Sequence, residues 1–338
     1  VEEIMDSIIS EINKGESLSF EEMVSFFDAM VNKRLTEAQI GAALIALRFK
    51  GENEVDLAAA ATVLNNYKIR FVANKKNTID TCGTGGDGKS TVNVSTIVSL
   101  TLASMGYYVV KHGNIAQSGK VGSADILDLA GIPTKLMDKE AQDFFEENNM
   151  VFLFAQHYHP ILKSVGKIRR DLRVSTIFNY LGPMANPADP DFQLLGINDV
   201  NKLDVYAKAL VKINKNNILV VSSKDGYDEI SSKDITFARK VVNKEIEELI
   251  IDPGTFFKPY DMPVVKSSDD AIKLFYEAID GENDKLNNII AINAAYLLQL
   301  IEKEDVKLLF KNVIEQLSSK KVKTYFEKLR SNSVCYQK

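Results

Sequence analysis

A chain of 338 residues, 45% hydrophobic and 26% charged, has enough apolar material for a large core, or for one large and one small domain. A formal net charge of −5 without any Lys/Arg block argues against bulk nucleic-acid binding, which rests on phosphate neutralisation. Two distant cysteines (Cys82 and Cys335), no apolar run near the roughly 20 residues of a membrane span, and an acidic N-terminus point to the reducing cytoplasm.

The first 67 residues read as helices. "SLSFEEMVSFFDAMV" opens with Ser19 and Glu22 at capping-box spacing, and "LTEAQIGAALIALRFKG" repeats the device with Thr36 and Gln39 before stopping at Gly51. Apolar residues recur at helical spacing, as in Met5, Ile8, Ile9 and Ile12. From about residue 77 the period changes. Short apolar runs ("YYVV", "MVFLFA", "FQLLGI", "NILVV") alternate with helical patterns, which predicts parallel βαβ units in one covered sheet. "FARKVVNKEIEELII" predicts a hairpin about Asn243 and Lys244, and the last 70 residues return to helices. The expected fold is therefore α/β: a small all-helical N-terminal domain (residues 1–70, joined in space by about 163–185) and a large domain (71–338) with a mostly parallel central sheet flanked by helices. There is no internal repeat and no low-complexity segment.

Two loops carry the first chemical signal. "IDTCGTGGDGKSTVNVST" (79–96) places glycines between a strand and a helix starting near Val94, where free amides and the helix dipole favour an anion. It is neither a P-loop nor a dinucleotide fingerprint. Asp87 would repel phosphate directly, so it orients the loop, binds ligand hydroxyls or meets a metal. "KHGNIAQSGKVGSAD" (111–125) repeats the plan, with a helix capped by Ser123 and Asp125 in its first turn. Lys111, His112, Asn114, Ser118 and Lys120 supply donors there. Two such loops at successive strand ends would face one crevice, where open α/β sheets bind ligands.

Two further segments are weaker alone. In "FAQHYHPILKSVGKIRR", His157 and His159 stand two residues apart, too close to share a helix face as a zinc pair. Arg169 and Arg170 are either solvated or, for one of them, a bidentate carboxylate grip. "DGYDEISS" (225–232) puts Asp228 and Glu229 in a loop at a strand end, the best candidate for Mg²⁺ held by carboxylates plus ligand phosphates.

Taken together and in order, "GTGGDG…TVNVST", "KHGN…GSAD", "FLFAQHYHPILK", "TIFNYLGPMANPA" and "GYDEIS" closely resemble the anthranilate phosphoribosyltransferase family, from about residue 37 to about 240. The resemblance implies a fold of the nucleoside-phosphorylase-like class, a homodimer through the helical domain, and transfer of phosphoribosyl from 5-phosphoribosyl 1-diphosphate to the amine of anthranilate, with Mg²⁺ (two per subunit); the charge and the lack of a long apolar run already speak against a nucleic-acid or membrane partner. By position it implies that Gly83, Gly86, Asp87, Thr91, Asn93, Ser95 and Thr96, with Lys111, Gly119 and Ser123, hold the phosphoribosyl diphosphate. Ser95 would ligate one metal ion, and Asp228 with Glu229 the other. Gly83, Asn114 and Arg169 would bind anthranilate, with His112 and His159 close by; no residue is assigned as a nucleophile. The chain departs from the family pattern at Ile115 and Ser175, where the family often has Arg. Its rivals are a nucleoside phosphorylase of the same fold and a nucleic-acid-binding relative. The latter would need a basic face.

Overall fold

A computed structural model of the chain describes residues 2–85, 89, 92–116 and 121–336, with the backbone alone at 2–4. Four helices come first: α1 (Glu2–Lys14), α2 (Phe20–Val31), α3 (Glu37–Lys50) and α4 (Glu54–Tyr67). Both expected capping boxes are formed. Ser19 Oγ accepts the Glu22 N–H at 3.3 Å while Glu22 returns to the Ser19 N–H at 2.8 Å, and Thr36 and Gln39 do the same for α3. A third box, Asn53 with Asp56, starts α4; Lys50 at the end of α3 pairs with that buried Asp56 at 3.0 Å.

The α/β part then runs β1 (Thr78–Gly83), α5 (Val94–Ser104), β2 (Tyr108–Gly113), α6 (Ser123–Leu129), α7 (Asp138–Asn148) and β3 (Met150–Phe154). The short α8 (Ala155–Tyr158), α9 (Lys163–Leu172) and α10 (Phe178–Leu181) interrupt it before β4 (Phe192–Gly196), α11 (Leu203–Lys212) and β5 (Ile218–Ser223). A hairpin, β6 (Thr236–Val242) and β7 (Glu245–Ile251), turns at Asn243 and Lys244, both with positive φ as a two-residue turn of the right twist requires. Helices α12 (Ser268–Asp280), α13 (Asp284–Glu302), α14 (Val306–Ser318) and α15 (Lys321–Ser333) close the chain.

One seven-stranded sheet results, in the order β3-β2-β1-β4-β5-β6-β7. The first five strands in that order are mutually parallel, and β6 and β7 pair antiparallel. Alternation along the strands sorts side chains between two cores. Leu194, Leu219 and Val221 join a core with α5–α7 and α12–α15, whereas Leu195, Ile218 and Val220 face the other side. That second core is continuous from α1–α4 through Val165, Ile168, Phe178 and Leu181 of α9 and α10 to Tyr206 and Leu210 of α11. The N-terminal helices thus reach the sheet through α11, and α9 is packed against α2 and α3. Strand order reverses between β1 and β4, which makes the C-terminal ends of those two strands the switch point where doubly wound sheets open a crevice.

Candidate active site

A crevice of about 600 Å³ opens at that switch point, between the strand ends and the α9–α10 segment. Its floor is set by backbone proximity. Gly83 ends β1 and Gly196 ends β4, in register with each other. A Cβ at Gly196 would overlap the Asp228 carbonyl, and one at Gly83 would overlap the Asp228 carboxylate. Glycine at both strand ends is what lets the 225–229 loop fold down onto the sheet. Asp228 is held there by the Gly85 N–H, which donates to its Oδ2 at 2.7 Å. Burial pushes its carboxyl above the ordinary carboxylate range, with the Gly85 bond opposing.

The N-terminus of α5 forms one wall. Ser95 lines the crevice, as do Asp228 and Glu229. Lys111, fully buried on β2, donates from Nζ to the Thr81 carbonyl at 2.7 Å and to Ser95 Oγ at 3.2 Å. Its proton affinity is lowered by burial, opposed by the nearby Cys82 and Asp80. Asp80, also fully buried, accepts the His112 N–H and the Gln193 side-chain amide, each at 3.2 Å. Thr96 turns the other way: it is buried among core residues and does not line the crevice. Asn93 reaches across to the Val121 carbonyl at 3.2 Å, which ties the two ligand-facing loops together. Gly86, Asp87, Thr91 and Gly119, together with Ser118 and Lys120, lie outside the described residues.

At the second loop the helix cap differs from the expectation. Gly122, not Ser123, is the cap of α6, and the Asp125 carboxylate accepts the Gly122 N–H at 2.7 Å and the Ala116 N–H at 2.9 Å. Ser123 is the first helical residue, and its Oγ donates to the Asn114 carbonyl at 3.3 Å. A Gly-Ser pair at a helix start is ambiguous in sequence, because glycine also caps.

The opposite wall carries the histidines and arginines. His112 donates Nδ1–H to the Gly182 carbonyl at 3.1 Å, and His159 donates Nε2–H to the Ala185 carbonyl at 2.8 Å. The rings stand edge to face, 5.3 Å apart. Burial is the main cause that lowers both, His112 well below the usual range and His159 to about 4, so both rings are neutral at pH 7. Arg169 lies half-buried with its guanidinium 5.3 Å from the centre of the Phe178 ring. It makes no ion pair with a described carboxylate, and burial lowers its proton affinity. Arg170, its neighbour, is exposed at the rim. The crevice thus brings together Gly83, Asn93, Ser95, Lys111, His112, Asn114, Ser123, His159, Arg169, Asp228 and Glu229. Sequence reasoning missed Asp80, Gly196, Phe178 and Lys89; Lys89 Nζ sits 4.0 Å from the centre of the Tyr227 ring and bonds the Asp225 carbonyl. A carboxylate inside the apolar start of a strand was the one local sign of Asp80.

A helical layer joined to a mostly parallel sheet, with an anion-ready crevice at the switch point, defines a two-part α/β protein built to bind a phosphorylated ligand. The α/β domain model of the glycosyl transferase family matches residues 75–319, and the helical bundle domain model of the same family matches 6–67. Anthranilate phosphoribosyltransferase of Saccharolobus islandicus (strain L.S.2.15 / Lassen #1) is 36% identical over 326 residues, 93% of each chain. The crystal structure of the enzyme of that name from Thermus thermophilus superposes with a TM-score of 0.88 at 27% identity, covering 97% of this chain and 99% of that one. That from Saccharomyces cerevisiae, in complex with PRPP and Mg, shares the fold at 21% identity, with a TM-score of 0.88 over 99% of both chains. The chain belongs to the anthranilate phosphoribosyltransferase family.

Proposed function

We propose that this protein transfers the phosphoribosyl group of 5-phosphoribosyl 1-diphosphate to the amino nitrogen of anthranilate, a step of tryptophan biosynthesis. The C1–O bond to diphosphate breaks, a C1–N bond forms, and the amine loses one proton. The observation that carries this reading is Arg169. A half-buried guanidinium without a described carboxylate partner faces the same crevice as an anion-ready helix N-terminus. One end of the crevice suits a small carboxylic acid and the other a diphosphate.

An arylamine is neutral at pH 7, so it needs no strong base to begin. The barrier lies in expelling a highly charged diphosphate from an oxocarbenium-like ribosyl centre. Lys111 offers an amino donor, held by the Thr81 carbonyl and Ser95 Oγ, at the back of the crevice, and the α5 N-terminus offers its dipole. Arg169 and Asn114 hold the acceptor so that its nitrogen faces C1, which lowers the entropic part of the barrier. Neutral, carbonyl-anchored His112 and His159 supply a rigid wall rather than charge. Ser95 on one side, and Asp228 with Glu229 on the other, line the crevice with hard oxygens and would hold Mg²⁺ together with phosphate oxygens of the ligand. When bound, the metal neutralises charge on the leaving diphosphate.

The test is direct. Purified protein with phosphoribosyl diphosphate and Mg²⁺ should consume anthranilate, followed by loss of its fluorescence, and release pyrophosphate. Turnover of a nucleoside with inorganic phosphate instead would overturn the assignment. We further infer a homodimer through the helical layer, where Phe49 of α3 is 90% exposed and has no role in the crevice. Sedimentation at micromolar concentration should give twice the chain mass, and a fully active monomer would refute it.

A further inference from the structure

Eleven large hydrophobic side chains are exposed among the described residues, and only Ile115 and Val174 of these line the crevice. Isolated exposed aliphatic residues are ordinary on protein surfaces and need no explanation. These two differ because both stand on constrained backbone and front one cavity. The Ile115 N–H donates to Asn114 Oδ1 at 2.9 Å, and the next N–H, of Ala116, donates to Asp125 at 2.9 Å. Gly122 packs so closely on this turn that a Cβ there would overlap the Ile115 carbonyl carbon and the Ala116 nitrogen. On the other side, Arg173 ends α9 in the left-handed region (φ 54°), which turns the chain at Val174. The Ser175 carbonyl is then fastened by the Arg48 guanidinium, and the Thr176 N–H by Asn179 at 3.0 Å.

Each aliphatic side chain is therefore carried on a pinned turn, 43% exposed at Ile115 and 42% at Val174, and lines the crevice that Arg169 and Asn114 also line. A charged ligand end gains nothing from them. A flat apolar one does, because it covers surface that water otherwise wets.

We propose that Ile115 and Val174 form an apolar clip on the ring of the acceptor, so that this chain takes 2-aminobenzoates carrying a small apolar ring substituent at least as well as the unsubstituted acid. The inference rests on the function proposed above and names the acceptor class of that same site. The carboxylate stays on Arg169 and the amine stays toward C1, so a substituent on a remaining ring carbon projects toward the rim. A methyl group buried against the clip is worth about fourfold in kcat/KM, the equivalent of roughly 0.8 kcal/mol per buried carbon.

The test compares anthranilate with its four ring-monomethyl isomers, using phosphoribosyl diphosphate and Mg²⁺, in the unmodified protein and in the double variant Ile115→Ser, Val174→Ser. At least one isomer should exceed anthranilate by about fourfold in kcat/KM in the unmodified protein. That ratio should fall to about one in the double variant and return in Ile115→Leu with Val174 retained. A ratio that is the same in all three proteins, or isomers all disfavoured in the unmodified protein, would overturn the clip while leaving the transferase reading intact. No turnover of any acceptor, anthranilate included, would count against the transferase reading itself. Because both side chains are exposed, the serine variants keep the fold; an unchanged melting temperature checks this.

Discussion

Arg169 and Arg170 are adjacent, chemically identical and on one helix, yet their surroundings separate them. Successive residues on a helix point about 100° apart. Arg169 is turned inward over Phe178, and Arg170 is left at the rim. Burying a guanidinium costs solvation, and in the described structure no carboxylate offsets that cost at Arg169. The anionic end of an acceptor would supply the missing partner through two parallel N–H···O bonds. Arg169→Ala should therefore weaken anthranilate by about 1.5–3 kcal/mol, the usual value of a hydrogen bond to a charged group, and barely change the apparent affinity for phosphoribosyl diphosphate. Arg170→Ala should change neither. Steady-state KM values for both substrates in the two variants check this, and equal effects would mean that the inward arginine has been misassigned.

At the scale of elements, what was legible in the sequence is what depends on near neighbours. Capping boxes at Ser19 and Thr36, the Asn243–Lys244 turn and the switch from helical to strand period are all read within a few residues, and the structure forms each of them. The glycine loop pointed to an anion site for the same local reason. Gly196 could not be read that way: it sits inside the apolar run "FQLLGI", and its purpose is set by Asp228, 32 positions further on. Its substitution tests the strand-end arrangement. Gly196→Ala should force the 225–229 loop off the sheet, moving Asp228 and Glu229 together. Displacement on the order of 1 Å at such a site costs roughly 100-fold in turnover. The Mg²⁺ concentration for half-maximal rate should rise as well. Gly41→Ala is the control, since its Cβ would make only ordinary contact with Leu172 Cδ2 at 3.8 Å, inside α3. That change should raise stability by about 0.5–1 kcal/mol through helix propensity and leave the Mg²⁺ titration unmoved. A Gly196→Ala enzyme with normal Mg²⁺ dependence would show that the close approach is not what places the carboxylates.

At the scale of the whole molecule, the histidines join parts that lie far apart in the chain. His112 lies near the end of β2 and His159 follows α8, yet both are anchored to carbonyls of the Gly182–Ala185 turn, whose Met184 and Ala185 belong to the second core. Spacing alone only ruled out a zinc pair for His157 and His159, because a fold-made pairing of His112 with His159 leaves no periodic trace. This arrangement has a pH signature with a definite sign. His159 has a folded value of about 4 against an ordinary 6.5, so between those limits the unfolded chain binds a proton that the folded chain refuses. Stability from this group is complete above pH 6.5 and is lost as pH falls toward 4. The loss amounts to about 3 kcal/mol at 1.36 kcal/mol per pH unit. His112 is displaced in the same direction and adds to it. Urea midpoints measured between pH 7.5 and 4.5 should fall steeply on the acid side. The decisive quantity is the difference from His159→Gln, whose amide can still donate to the Ala185 carbonyl but does not titrate. That variant should approach the stability of the unmodified protein, and then exceed it, as the pH drops through this window. Parallel acid-side curves would mean that protonation of His159 is not what destabilises the fold on the acid side.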